Sequence, residues 1–254
     1  MTLKATDLLI FALTSGLALA MMNKNSCSSS SKAKNGSDLV SCEVAEASSS
    51  ELRNSAFVFV KPHANTEATR SLVKSKLLAA GLKILSECEI DGPTIDREKL
   101  IDQHYYAIAS KATILPAKDI PVPAEKFEQE FGEKWETVLA EGRAYNAMDA
   151  CKKFNCDPIA LEGAWQKAKK VVKFGGGFYC GLMSVNDQPE LYVFNAFFMS
   201  MRSKFCGKGT SIHCYEVEWS PSTLNWSAFR NNLLGPTDPA EAPQDSIRGS
   251  ILAK

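Results

Sequence analysis

Apolar residues recur along this chain in blocks whose spacing changes from one block to the next. Ala56-Phe57-Val58-Phe59-Val60 is a continuous apolar run closed by Lys61-Pro62, which reads as a buried strand with a cation at its C-terminal end. From Thr66 to Ala80 the positions Ala68, Leu72, Val73, Leu77 and Leu78 return at helical spacing. Thr66 is the N-cap of that helix, Glu67 sits in its first turn, and Gly81 stops it. Leu82, Ile84, Cys88 and Ile90 then alternate with other residues, the period of a half-buried strand. Residues 96–109 predict a second helix, carrying His104, Tyr105 and Tyr106.

Beyond Tyr106 the pattern is more helical. Pro116 to Pro123 is a bend, and Phe127, Phe131, Trp135 and Val138 form one stripe of a helix over 124–139. Two more helices are predicted over 146–154 and 158–172, the second opened by Asp157-Pro158. Residues 178–185 and 191–198 are aromatic runs on either side of Asn186-Asp187-Gln188-Pro189-Glu190, the pattern of a β-hairpin with Gly175-Gly176-Gly177 as its flexible lead-in. Those glycines lack the Lys-Ser/Thr of a phosphate loop and the spaced Gly-x-Gly-x-x-Gly of dinucleotide folds. Arg202 and Lys204 are either surface charges or phosphate contacts. A strand over 211–219 and a helix over 226–234 with Arg230 follow. Gly235-Pro236-Thr237-Asp238-Pro239 is a rigid turn, because the prolines fix φ and donate no hydrogen bond. Asp245 or Ser246 can cap a short helix from near Ile247, which puts Thr237 and Arg248 on a stiff segment beside a helix N-terminus, a place that favours anions.

Composition narrows the picture. The chain has 254 residues, 45% of them hydrophobic, with 29 basic and 29 acidic side chains, so no bulk charge favours nucleic acid or an anionic membrane. Eight cysteines without a Cys-x-x-Cys pair and only three histidines argue against a zinc site and read as mostly free, partly buried thiols. In 1–20, Lys4 precedes an apolar run from Leu8 to Ala20 that ends Ala18-Leu19-Ala20. This is either a cleaved secretory or organelle-directed signal or a fortuitous apolar start of a cytoplasmic chain, and it is too short to span a membrane comfortably. Residues 21–51 are Ser-rich and carry three lysines and no acid from Met21 to Ser37, as expected of a disordered linker or a transit peptide.

Two distant segments together resemble the nucleoside diphosphate kinase family. In that family a first strand ends in Val-Lys-Pro, and a late Gly-x-Thr-Asn-Pro segment leads to Ile-Arg-Gly. Here these are Val60-Lys61-Pro62, and Gly235-Pro236-Thr237-Asp238-Pro239 through Ile247-Arg248-Gly249, with the family's spacing from Thr to Arg. His104-Tyr105 matches the family's His-Tyr pair, and the likeness spans 56–106 and 212–251. It implies an α+β domain over 52–254, a ferredoxin-like antiparallel sheet with helices on one face, with a helical and β-hairpin insertion at about 107–210. It further implies that Lys61, Arg230, Thr237 and Arg248 converge on the β- and γ-phosphates of a nucleoside di- or triphosphate, that Tyr105 lines the nucleotide site, and that Mg2+ bridges the phosphates. Arg230 lies one residue further from the glycine than the family's arginine. Phe127 or Phe131 is the candidate replacement for the family's base-stacking aromatic. Homo-oligomers are among the states implied. The family's phosphate-accepting histidine stands in an Asn-x-x-His segment shortly after the arginine, whereas the sequence given ends at Lys254 and places none of His63, His104 and His213 in that motif. The expectation is therefore nucleotide binding without phosphoryl transfer, in either an incomplete kinase or a non-catalytic interaction or scaffold module. The family's fourth strand is also missing, which leaves an unpaired sheet edge unless something covers it.

Overall fold

The computed structural model describes Phe11–Leu13 and residues 52–253. The chain is α+β. Its described strands are β1 (Phe11–Leu13), β2 (Asn54–Val60), β3 (Lys83–Asp91), β4 (Ala144–Asn146), β5 (Lys170–Gly175), β6 (Phe178–Met183), β7 (Leu191–Phe194) and β8 (Ser211–Trp219). They form two four-stranded sheets, and the chain divides into two compact units. Residues up to Glu89 and Ile212–Lys254 make the first unit, and Ile90–Ser211 make the second. Among the described residues no helix is long and apolar enough to cross a membrane.

In the first unit the strand order is β1-β2-β8-β3. β2 pairs antiparallel with β8 over its full length, from Asn54 opposite Trp219 to Val60 opposite His213. Ala56, Val58 and Val60 turn to one face and join Tyr215, Val217 and Trp219 in a core. The helix Glu67–Ala79 closes that face with Val73 and Leu77, each worth about 1.5–3 kcal/mol on full burial. Its first turn is capped as expected, Thr66 Oγ1 accepting from the Thr69 backbone N–H at 3.2 Å. Trp219 stacks on Phe229 with ring centroids 4.6 Å apart, and its indole N–H donates to the Leu224 carbonyl at 2.7 Å. The expected open edge beside β2 is occupied: Phe11–Leu13 pairs antiparallel with Phe57–Phe59, so a stretch of the apolar N-terminal run supplies the edge strand. The remainder of 1–20, and the linker at 21–51, lie outside the described residues.

The second unit has the strand order β4-β7-β6-β5, with β4 parallel to β7 and the other pairs antiparallel. Its core gathers Phe127, Trp135, Val138, Tyr192 and Phe194. Several predicted elements shift here. The helix expected over 96–109 begins earlier, at Gly92, because Asp91 accepts from the Thr94 N–H and caps it, and it breaks where Lys99 takes a left-handed φ of 53°. The stripe over 124–139 is two helices, Ala124–Phe131 and Trp135–Ala140, parted at Gly132 with φ 77°. The helix expected over 158–172 stops at Gln166, and Val171 and Val172 belong to β5. The hairpin of β6 and β7 is present, but Gly175 ends β5 and Gly176-Gly177 is the turn into β6 rather than a loose lead-in.

This unit starts and ends at one point. The Gly92 N–H donates to the Thr210 carbonyl at 2.8 Å. A β-carbon on Gly92 would lie 2.2 Å from the Gly207 carbonyl oxygen and 2.5 Å from Thr210 Oγ1, so the approach requires glycine.

Candidate functional site

The late turn is closed by the residues that the sequence singles out. Trp226–Ala228 starts a short helical segment that widens over Phe229–Leu233, with the Leu234 N–H reaching the Phe229 carbonyl at 2.9 Å. The chain then reverses at Gly235 with φ 86°, a left-handed conformation suited to glycine, and a β-carbon there would stand 2.6 Å from Ser246 Oγ. Ser246, not Asp245, caps the helix Ile247–Leu252. Its Oγ accepts from the Gly249 N–H at 3.1 Å and donates to the Pro243 carbonyl at 2.6 Å. Arg248 holds the two ends of the turn together: its backbone N–H donates to the Leu234 carbonyl at 3.1 Å, and its Nη1 donates to the Gly235 carbonyl.

Arg248 is only 6% exposed, and burial pulls its guanidinium down to about 10. Lys61, also 6% exposed, follows the last residue of β2, and its carbonyl accepts from Ala64 N–H at 3.0 Å to open the turn Pro62–Ala64. Thr237 and Arg230 are exposed. These four residues flank a common core: Val60 precedes Lys61, Phe229 precedes Arg230, Leu234 begins the turn that carries Thr237, and Ile247 precedes Arg248, all within one cluster. The first unit thus attaches the segments of all four candidates to one hydrophobic cluster. It buries two of the cations and leaves the third cation and the hydroxyl in solvent.

Tyr105 belongs to the second unit, after the helix Leu100–His104. Its ring packs edge-on against His104 at 4.6 Å and Phe198 at 6.4 Å, and burial raises its hydroxyl above the usual tyrosine range. The two base-stacking candidates are occupied in the core of that unit. Phe127 is fully buried among Phe131, Trp135 and Tyr192, with centroids 4.8–5.1 Å away, and Phe131 packs edge-on against Tyr192 at 5.0 Å. Phe127 presents no free face to a base, because the stripe that made it visible buries it, whereas Phe131 is half-buried. Arg202 is no phosphate contact: its Nε donates to both carboxylate oxygens of the buried Asp102 at 3.0 and 2.9 Å, and its Nη2 donates to Asp96 at 2.7 Å. Lys204 is exposed.

Two polar groups in the first unit escape sequence reading. Lys74 and His213 converge on Glu87, at 2.6 Å and 2.8 Å, and Cys88 of β3 hydrogen-bonds with Cys214 of β8. Both depend on the register of β3 against β8, which no local spacing reveals. Among the described residues no group of three His, Cys, Asp or Glu could hold a metal ion. Comparison with protein-family models, with curated proteins and with solved structures returns no match.

Proposed function

We propose that the first unit binds the phosphates of a nucleoside di- or triphosphate through Lys61, Arg230, Thr237 and Arg248, as the likeness to nucleoside diphosphate kinases implies. The observation that carries the reading is the burial of Lys61 and Arg248 on segments rooted in one core. Arg248 offers a planar fork suited to two phosphate oxygens, Lys61 a compact charge, and Thr237 a hydroxyl at the mouth of the turn. The strand order supports a ferredoxin-like arrangement of the kinase type, since β8 lies between β2 and β3 and β1 takes the edge beside β2. Magnesium enters this reading with the phosphates and supplies charge neutralisation there.

Phosphate binding is the proposed chemistry, and none of the three histidines is proposed as a phosphoryl acceptor. His213 is tied to Glu87, and none of His63, His104 and His213 stands in an Asn-x-x-His segment. A phosphoryl acceptor must lie in line with the γ-phosphate at attack distance. Calorimetric titration of the purified chain with Mg–ATP and Mg–GDP tests the site. Lys61→Met and Arg248→Lys, each checked for folding by circular dichroism, are expected to weaken binding about 10- to 100-fold, the worth of one ionic hydrogen bond. γ-Labelled ATP is expected to leave no acid-labile label on the protein. Unchanged affinity in both folded variants, or no binding by the parent chain, sinks the assignment.

A further inference from the structure

We infer that the second unit carries a separate site for a planar aromatic anion, in a cavity of about 460 Å3 lined by Ile108, Trp165, Val171, Gly177, Tyr179 and Phe197. The volume falls within the roughly 300–1,000 Å3 of small-ligand sites. Phe197 stands between the other two rings, 5.9 Å from Trp165 and 5.7 Å from Tyr179, at interplanar angles of 55° and 84°. The rings therefore offer faces and edges in several orientations to a flat guest. All three are only half-buried, and Val171 at the rim is 44% exposed, so apolar surface is left in contact with solvent.

The walls are fixed by one side chain. Asn195 is fully buried and holds a left-handed φ of 49°. Its Nδ2 donates to the carbonyls of Ile108 and Gly177, each at 2.9 Å, and its Oδ1 accepts from the Tyr179 N–H at 2.9 Å. Three of the six lining residues are thus pinned to one amide. A cavity held open in this way pays little ordering entropy when a ligand arrives.

Charge selects the guest. No lining residue is ionisable except the tyrosine. Lys173 Nζ stands 5.7 Å from the Tyr179 centroid. Lys111 Nζ donates to the carbonyl of Ala107, next to Ile108, at 3.3 Å and lies 5.2 Å from the Phe178 ring. Three aromatic rings would also suit a quaternary ammonium, but two lysines beside the cavity repel one and attract an anion. A larger cavity of about 580 Å3 nearby in sequence lacks this bias, because its Lys169 and Glu190 pair with each other at 2.7 Å.

The test uses two fluorescent probes of similar shape, 1-anilinonaphthalene-8-sulfonate and neutral N-phenyl-1-naphthylamine, with near-ultraviolet circular dichroism to confirm native packing. The parent chain is expected to bind the sulfonate saturably and more tightly than the neutral probe. Val171→Trp, at an exposed rim position, fills the cavity and is expected to abolish binding of both. Lys173→Glu reverses one rim charge and is expected to weaken the sulfonate about three- to tenfold while changing the neutral probe less than about twofold. Equal binding by Val171→Trp and the parent removes the site, and a preference for the neutral probe removes the anion. Neither readout involves nucleotide, so failure here leaves the phosphate reading untouched.

Discussion

Cys88 is the described cysteine whose thiol is shifted downward. The Cys214 thiol donates a hydrogen bond to it and draws its pKa down to about 7 against the opposing effect of burial, while Cys214 itself is pushed far above the thiol range. Two outcomes follow. Iodoacetamide is expected to alkylate Cys88 with a half-maximal rate near pH 7, well below the other described cysteines whose pKa values burial raises, namely Cys151, Cys156, Cys180, Cys206 and Cys214. Because the folded value lies below the unfolded one, Cys88 contributes stability that is complete above about pH 9 and lost as pH falls through about 7. Urea denaturation should therefore show a rise in stability from pH 7 to 9 that Cys88→Ser flattens, and an unflattened rise refutes the assignment. The turn at Gly235 and the helix from Ile247 were legible because proline and glycine punctuate the backbone around them. Cys88, Cys214 and Asn195 were not, because their partners lie on strands distant in sequence, and a lone cysteine or asparagine carries no periodic mark.

At the level of elements, the buried pair of Arg202 and Asp102, with exposed Asp96 on the same guanidinium, ties the helix Phe197–Cys206 to the segments Gly92–Arg97 and Leu100–His104. Thr113 Oγ1 adds a hydrogen bond to Asp102. Asp102→Asn leaves a buried guanidinium short of its charge partner and is expected to cost about 3–5 kcal/mol in urea denaturation. The double change Arg202→Met with Asp102→Leu removes both charges and is expected to recover most of that loss. A single-variant loss below about 1 kcal/mol contradicts the structural role given to the pair. Helix starts were readable because a cap is a local event. Thr66, Asn146, Asp157 and Ser246 each accept from a backbone N–H two or three residues on. Helix interruptions were not, since Lys99 takes a left-handed φ that no lysine advertises.

For the whole molecule, the division of the core matters most. The cluster around Phe127 and Tyr192 lies entirely within the second unit, and the one around Val58 and Trp219 entirely within the first. Residues 90–211 expressed alone are therefore expected to fold with a cooperative thermal transition and native near-ultraviolet dichroism, and a featureless spectrum would contradict an independent core. The strand at Phe11–Leu13 could not have been foreseen, because an apolar run of that length reads equally as a targeting segment. The bond from Gly92 to Thr210 has a consequence in time as well as in space. While the chain is unfolded, everything between Asp91 and Ser211 is a loop that must close before β3 can align beside β8, at an entropic cost of about 4 kcal/mol by the logarithmic rule for loop closure. A second unit that folds first delivers its own ends to hydrogen-bonding distance and removes most of that cost. In that order the second unit condenses before β3 aligns beside β8. Slow folding of the second unit would then delay completion of the first unit's sheet and of the phosphate site proposed there, although Lys61, Arg230, Thr237 and Arg248 all lie outside the second unit.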